Sequence, residues 1–244
     1  MQSLYGAIAN TNKKEIMAIS IDGVYQKVLA LANKEQRGYI TPQEFNLFAN
    51  QAQMDIFEQY FYDINQFGRV PGNDKPHSDP LDILEDKLDI FHAKSALSGT
   101  DNIFDLPSDY YRHIALFTDD NSNIQKLSVK EAMQVSQGPL TSPTLKRPIY
   151  YIDSSNQINI LPDTIVNGNF HYYRKPEDAD WVGHEVLGTF QYNSNDSVNF
   201  ELHPSEETDL VIKILGLAGI TLKDPVLYQV AGAEDNKNTQ QEKQ

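Results

Sequence analysis

The hydrophobic pattern of this 244-residue chain changes period twice, and that change limits the possible folds more than any single motif. Apolar residues recur at helical spacing up to residue 98, alternate with polar residues between 100 and 203, and return to helical spacing at 205–222. The pattern predicts an α+β fold: a helical bundle with an inserted antiparallel β-sheet or hairpin region, a C-terminal helix and an extended tail.

We expect one domain at 17–233, with helices at 17–98, the β-rich insertion at 100–203 and the C-terminal helix at 205–222. The second methionine, Met17, opens this domain, so the first sixteen residues are predicted to be an N-terminal extension. The last eleven residues, 234–244, contain only polar side chains and predict a tail without a core of its own.

The clearest helix begins at Thr41. This residue is a suitable N-cap, Pro42 fits the first helical position, and Glu44 completes a capping box. Apolar residues continue at helical spacing to about Tyr62. The sequence therefore predicts a helix over most of 42–62.

Three further helices are predicted from shorter signals. An apolar stripe at 24–31 precedes the helix at 42–62 and is expected to form a helical hairpin with it. A second stripe follows Asp79, which is a suitable cap, and continues through "DPLDILEDKLDIFHAK". Ser205 is expected to cap the last helix, which is apolar on most of its surface and should be buried or lie against a partner.

The stretch "QINILPDTIVNGNFHYYRKP" at 157–176 combines aromatic residues with cations, as a ligand site can. Its alternation and its Asn-Gly pair instead predict a β-hairpin, and a Ser-Ser-Asn turn joins it to "IYYID" before it. Period two divides the end of this stretch into two faces, one with Phe170, Tyr172 and Arg174 and the other with His171, Tyr173 and Lys175. A strand end is therefore the favoured interpretation.

Composition and motifs argue against most enzyme classes. The chain has no cysteine, which excludes disulfides, thiolate metal sites and a cysteine nucleophile. "HEVLG" at His184 has Gly188 where a zinc-protease helix needs a second histidine, and the six histidines show no ligand spacing. Acid pairs such as Asp119-Asp120 lie in turn-like contexts. We predict no catalytic residue, no cofactor and no metal.

The net charge of −14 disfavours general nucleic-acid binding, because phosphate recognition needs a basic patch. The N-terminus lacks the basic and apolar regions of a secretory signal, and no apolar run approaches eighteen residues. A secretory route and a membrane partner are therefore not expected.

The order of motifs in the middle of the chain resembles head-to-tail adaptor proteins of tailed bacteriophages, also called connector, neck-ring or tail tubular proteins. The resemblance is carried by "FDLPSDYYRHIALF", "KLSVKEAMQV", "PIYYIDSSNQINILPDTIVNGNFHYYRKP" and the "ELHPSEETDLVIKILGLAGITL" helix, and it covers roughly residues 104–222. The short-tailed phage type is the closest pattern.

The resemblance implies a structural virion protein of the phage neck or tail, assembled in the bacterial host cytoplasm. It implies a homo-oligomeric, dodecameric ring that joins the portal protein to the next tail protein and lets DNA pass without specific binding. An acidic lumen fits such passage, because it repels phosphates. The implied contacts are Leu227, Tyr228 and Val230 for the portal; Ser154, Asn156, Asn167 and Asn169 for the tail side; and Tyr172, Tyr173 and Arg174 between subunits.

Two alternatives remain open. The chain is compatible with another virion ring, such as a tail-tube or stopper component, which only its position in the particle would distinguish. A carbohydrate-active enzyme using Asp or Glu pairs with tyrosines is less favoured, because it needs two carboxylates gathered in a cleft and no spacing indicates one.

Overall fold

The computed structural model describes residues 18–34, 40–67, 79–99, 101–186 and 189–221. The predicted extension at 1–16 and tail at 234–244 lie outside these ranges. The chain divides into two compact units, a helical unit formed by 1–90 with 176–244 and a β unit formed by 91–175.

Helices and strands follow one another in the order α1 (Ile21–Lys34), α2 (Pro42–Phe67), α3 (Asp79–Asp89), β1 (His92–Ser98), β2 (Ile103–Asp105), β3 (Tyr110–Phe117), β4 (Asn123–Lys126), α4 (Val129–Gln137), β5 (Ile149–Ile152), β6 (Gln157–Leu161), β7 (Asn167–Arg174), β8 (Gly183–Val186), β9 (Thr189–Tyr192) and α5 (Glu207–Thr221). A 3-10 turn, Pro204–Glu206, precedes α5. Strands β8 and β9 form a separate antiparallel pair in the helical unit.

The helical unit is built around α5, which contacts both α1 and α2. Leu210 and Ile214 on α5 are fully buried, so the expectation of a buried apolar helix is confirmed. The predicted capping box at Thr41 is also confirmed, since Glu44 N donates to Thr41 Oγ1 at 3.3 Å and Thr41 N donates to Glu44 Oε2 at 3.0 Å. Ser205, the predicted cap, lies within the 3-10 turn, and His203, two residues earlier, caps that turn by accepting from Ser205 N.

Three amide side chains on one stripe of α2, Asn46, Asn50 and Gln53, bind the extended backbone at 177–181. Asn46 and Asn50 each donate to and accept from one residue of that segment, Trp181 and Ala179 respectively. Gln53 donates to Glu177 O at 2.8 Å and accepts from Glu201 N at 3.2 Å. This amide stripe supplies the hydrogen bonds that a neighbouring strand would otherwise supply to the extended segment. It thereby satisfies buried backbone N–H and C=O groups.

The β unit contains a seven-stranded sheet with the order β1-β7-β3-β4-β5-β6-β2, which curls into a nearly closed barrel. All neighbouring pairs are antiparallel except β4 and β5, which are parallel and joined through α4. The interior is filled by apolar and aromatic side chains: Leu97, Phe104, Leu116, Ile124, Tyr150, Ile158, Ile160, Ile165, Phe170 and Tyr172.

The predicted fold class, a helical bundle with an inserted β-sheet or hairpin region, is therefore wrong. The dominant element is the large seven-stranded sheet. The chain adds only a few helices to it, most of them before and after the strands of this sheet in sequence. Most of this sheet depends on pairs between distant residues, such as His92 with Tyr173, which local periodicity does not reveal.

The helical stripe predicted after Asp79 ends early. Helix α3 stops at Asp89, and the following "HAKSALS" is strand β1. Its alanine, lysine and leucine residues favour helix by intrinsic propensity. Pairing along the whole of β7 overrides that preference, because strand formation depends on the partner as much as on the segment itself.

The predicted hairpin within 157–176 does not form. Strand β6 pairs with β5 and β2, whereas β7 pairs with β1 and β3, so the chain crosses to another part of the sheet between them. The Asn-Gly pair is the start of β7 and not a turn. A Cβ at Gly168 would lie 2.9 Å from Phe117 O, so this glycine permits close strand approach. The predicted Ser-Ser-Asn hairpin between β5 and β6 is confirmed.

Candidate functional site

The "FDLPSDYYRHIALF" stretch and the "HYYRKP" end of β7 meet at Asp109, although 63 residues separate Asp109 from Tyr172. Tyr172 Oη donates to Asp109 Oδ1 at 2.9 Å, and Lys175 N donates to Asp109 O at 2.8 Å. A turn closed by Tyr110 N donating to Pro107 O at 3.1 Å places Asp109 there. We call Asp109, Tyr172 and Lys175 the Asp109 junction; it ties the entry of β3 to the end of β7.

Burial shapes the chemistry of this junction. Tyr172 is 5% exposed. Burial, followed by the hydrogen bond to Asp109, raises the pKa of Tyr172 to about 12. The hydroxyl therefore stays protonated at neutral pH and acts as a donor. Tyr110 packs on the same cluster, with ring centroids 6.0 Å from Tyr172.

The opposite face of the same strands carries a histidine pair that the sequence analysis did not single out. His92 Nε2 and His171 Nδ1 lie 3.0 Å apart, and their rings are stacked with centroids 5.2 Å apart. Phe117 meets the ring of His171 edge-on. Burial, then the positive charges of His92 and Lys94, lower the pKa of His171. Only the register of β1 with β7 brings the two histidines together.

The four residues predicted for tail-side contacts fall at opposite ends of β6. Ser154 and Asn156 are exposed in the turn before that strand, where Asp153 Oδ1 accepts from Ser155 N at 2.8 Å. Asn167 and Asn169 follow the strand and belong to β7. The structure thus divides this set into two places and does not gather it into one loop cluster.

The residues predicted for subunit contacts differ in exposure. Tyr172 lies in the interior, while Tyr173 and Arg174 are half-buried. Arg174 N donates to Phe91 O at 2.9 Å, which brings the two ends of the β unit together. Leu227, Tyr228 and Val230, the predicted portal contacts, lie outside the described residues.

Within the described ranges, no three His, Asp or Glu side chains are grouped so that they could hold a metal ion. None of the described helices has both the length and the apolar character needed to cross a membrane.

Comparison with known proteins adds no assignment: no protein-family model matches the chain, and no curated protein matches it. Function therefore has to be argued from the motifs and from the contacts that they make.

Proposed function

We propose that the chain is a structural virion protein that forms an oligomeric ring between the portal and the tail of a bacteriophage. In this role the ring would line the channel through which DNA leaves the head. Its partners would be other copies of the chain, the portal protein and the next neck or tail protein.

The Asp109 junction carries the proposal. The Leu-Pro-x-Asp-Tyr entry and the Tyr-Tyr-Arg-Lys-Pro end are two of the motifs that carry the resemblance, and they are in direct contact through Asp109, Tyr172 and Lys175. Residues that stabilise one another in the fold are expected to be retained together, so their joint presence is more informative than either motif alone. The contact between the two motifs supports a β unit like that of the head-to-tail adaptors. The partners of the chain would then be determined by its surface residues.

Charge is compatible with the proposed channel. The β unit contains eight lysines and arginines and eight aspartates and glutamates, so the net charge of −14 comes from the rest of the chain. A ring with this excess of acid repels DNA phosphates, and passage without binding requires such repulsion.

The first test is assembly. We expect the purified full-length chain to form rings in negative-stain electron microscopy and one discrete oligomer in native mass spectrometry, or to do so when portal rings are added. In a map of the intact virion the chain should occupy the portal–tail junction. A chain that stays monomeric with and without portal rings, and is missing from that junction, would refute the proposal.

The second test separates portal docking from ring formation. The triple variant Leu227→Ser, Tyr228→Ser, Val230→Ser should lose binding to portal rings and keep its own oligomeric state. A matched triple variant in the polar tail, Asn236→Ser, Asn238→Ser, Gln240→Ser, should retain both. Equal portal binding by the two variants would contradict the predicted docking segment. A map that places the chain further down the tail would instead identify it as a tail-tube or stopper ring.

A further inference from the structure

Two irregularities in β3 change the register of a half-buried histidine, so that it pairs with an interior residue. The pairing of β3 with β7 shifts register between Tyr110 and Arg112 and again between His113 and Ala115. As a result, His113 and Leu116 both pair with interior residues of β7. His113 pairs with Tyr172, and Leu116 pairs with Phe170. Bulges of this kind re-aim side chains and are common at barrel rims and functional sites. A regular strand would place residues 113 and 116 on opposite faces.

His113 lies against a lysine from the next strand. Lys126 Nζ is 3.0 Å from His113 Nδ1, and within the described ranges neither side chain forms an ion pair with a carboxylate. Burial, then Lys126, then Arg112 lower the pKa of His113. Burial, then Arg112, lower the pKa of Lys126. Both side chains therefore lie in a partly desolvated place beside further positive charge.

The strand that pairs with β4 carries a buried hydroxyl without a partner. Tyr150 pairs in register with Lys126, and its Oη has no hydrogen-bond partner although the residue is 1% exposed. Leaving a buried hydroxyl unpaired costs about 1–3 kcal/mol. The pKa of Tyr110 is raised by burial, and the pKa of Tyr150 is raised by burial and then by Tyr110. These groups share one end of the interior.

Exposure decreases from the outer to the inner members of this group. Lys126 is exposed, His113 is half-buried, and Tyr150 is fully buried. A small ligand could therefore reach the lysine and histidine from solvent, with the Tyr150 hydroxyl deeper in the unit. We call Lys126, His113 and Tyr150 the polar end.

We propose that the polar end is a binding site for a small tetrahedral oxyanion, such as inorganic phosphate or a phosphomonoester. The Lys126 ammonium, the His113 imidazole once it is protonated on binding, and one neutral hydroxyl match the acceptor oxygens of such a group, and charge-assisted hydrogen bonds are the strongest available to it. The enclosed hydroxyl argues for a small anion and against duplex DNA, whose phosphates lie on a wide surface. The Asp109 carboxylate accepts from Tyr172 Oη at 2.9 Å and is not ion-paired with Lys126 or His113 in the described ranges.

The test is isothermal titration calorimetry of the full-length chain with sodium phosphate and, separately, sodium sulfate, at pH 6.5 and fixed ionic strength set with sodium chloride. We expect saturable binding of one anion per chain. Lys126→Gln and His113→Gln should each weaken it by about tenfold or more, as expected for loss of a charge-assisted hydrogen bond. Lys130→Gln, which removes the same charge from exposed α4, should bind as the natural chain does.

Proton uptake gives a readout that a purely structural role would not produce. An anion beside His113 raises the pKa of this histidine and so favours its protonated form. This effect is opposite to that of Lys126 on β4 and Arg112 on β3, which lower the pKa. Sulfate does not titrate near pH 6.5, so titrations in two buffers of different ionisation enthalpy should reveal proton uptake on sulfate binding. His113→Gln should abolish that uptake.

Tyr150→Phe tests the buried hydroxyl. If Oη contacts the anion, this variant weakens phosphate binding several-fold and reduces the rise in melting temperature that phosphate produces. Unchanged phosphate affinity in Tyr150→Phe would contradict the assignment of the Tyr150 hydroxyl to the anion site. Absence of saturable binding, equal weakening by Lys130→Gln, or displacement of bound phosphate by a short DNA duplex at matched ionic strength would overturn the proposal.

Discussion

At the residue scale, the amide stripe of α2 replaces a strand partner for the segment at 177–181. Asn50 Nδ2 donates to Ala179 O at 3.1 Å, and Asn50 Oδ1 accepts from Ala179 N at 2.8 Å. Ala179 is buried, so its backbone N–H and C=O depend on this amide for their hydrogen bonds. An amide side chain suits this role because it carries a donor and an acceptor side by side, as a peptide group does.

Asn50→Ala is therefore expected to lower the free energy of unfolding by about 1–3 kcal/mol, the range for leaving buried polar groups unpaired. Urea denaturation followed by tryptophan fluorescence measures this directly, because Trp181 is the sole tryptophan, is buried, and is bound by the neighbouring Asn46. Gln51→Ala is the control, since its amide is exposed and contacts only Asp55 one turn away; a change within about 0.5 kcal/mol is expected. Equal losses of unfolding free energy in the two variants would contradict the proposed role of the amide stripe in stabilising the segment at 177–181.

At the element scale, two glycines make opposite predictions. A methyl group at Gly168 would meet the Phe117 carbonyl oxygen at 2.9 Å, whereas one at Gly23 on α1 would meet nothing closer than 3.6 Å. Gly168→Ala should push β7 from β3 and destabilise the chain by about 1–3 kcal/mol. Gly23→Ala should stabilise it by about 0.5–1 kcal/mol, because alanine loses less backbone freedom in a helix. Urea midpoints that shift in the same direction for both would contradict this packing.

The histidine pair between β1 and β7 predicts a dependence of stability on pH. The pKa of His171 in the folded chain is lowered by burial, His92 and Lys94, so the unfolded chain binds a proton more readily. Stability should therefore decrease as pH falls from above 6.5, the ordinary histidine value, toward the lower folded value.

Urea denaturation at pH 7.5 and pH 5.5 tests this sign. His171→Gln should lose less stability between the two pH values than the natural chain does. A part of the decrease should remain, because the pKa of His113 is lowered as well. His184→Gln, on β8, controls for removing a histidine elsewhere. An unchanged pH dependence in His171→Gln would show that the pair does not contribute.

Local signals explain which elements the sequence could predict. The capping box at Thr41 depends on residues three apart and forms as expected, and the same local motif at Ser128 begins α4. Strand β1 and the Asn-Gly start of β7 were misread because their partners are distant and their local chemistry favours a helix and a turn. The Asp109 junction lay within predicted motifs, but its contact with Tyr172 required the register of β3 with β7.

At the scale of the whole molecule, the ends of the β unit lie together. Arg174 N donates to Phe91 O, and His92 pairs with Tyr173. All seven strands and the whole apolar cluster fall within 91–175. A segment with its own core and adjacent ends resembles an insertion that can be excised, because closing the gap costs little chain entropy.

Expressed alone, residues 91–175 should fold, giving dispersed amide resonances and a cooperative urea transition. The remaining chain, with Ile90 joined to Pro176 by a short Gly-Ser-Gly linker, should keep Trp181 buried, as its blue-shifted fluorescence would report. Phe170→Ser in the excised segment replaces a fully buried ring and is the matched unfolded reference. Collapsed resonances from 91–175, indistinguishable from those of Phe170→Ser, would mean that the sheet depends on residues beyond its own strands. Retained dispersion would establish that the β unit is specified within its own sequence.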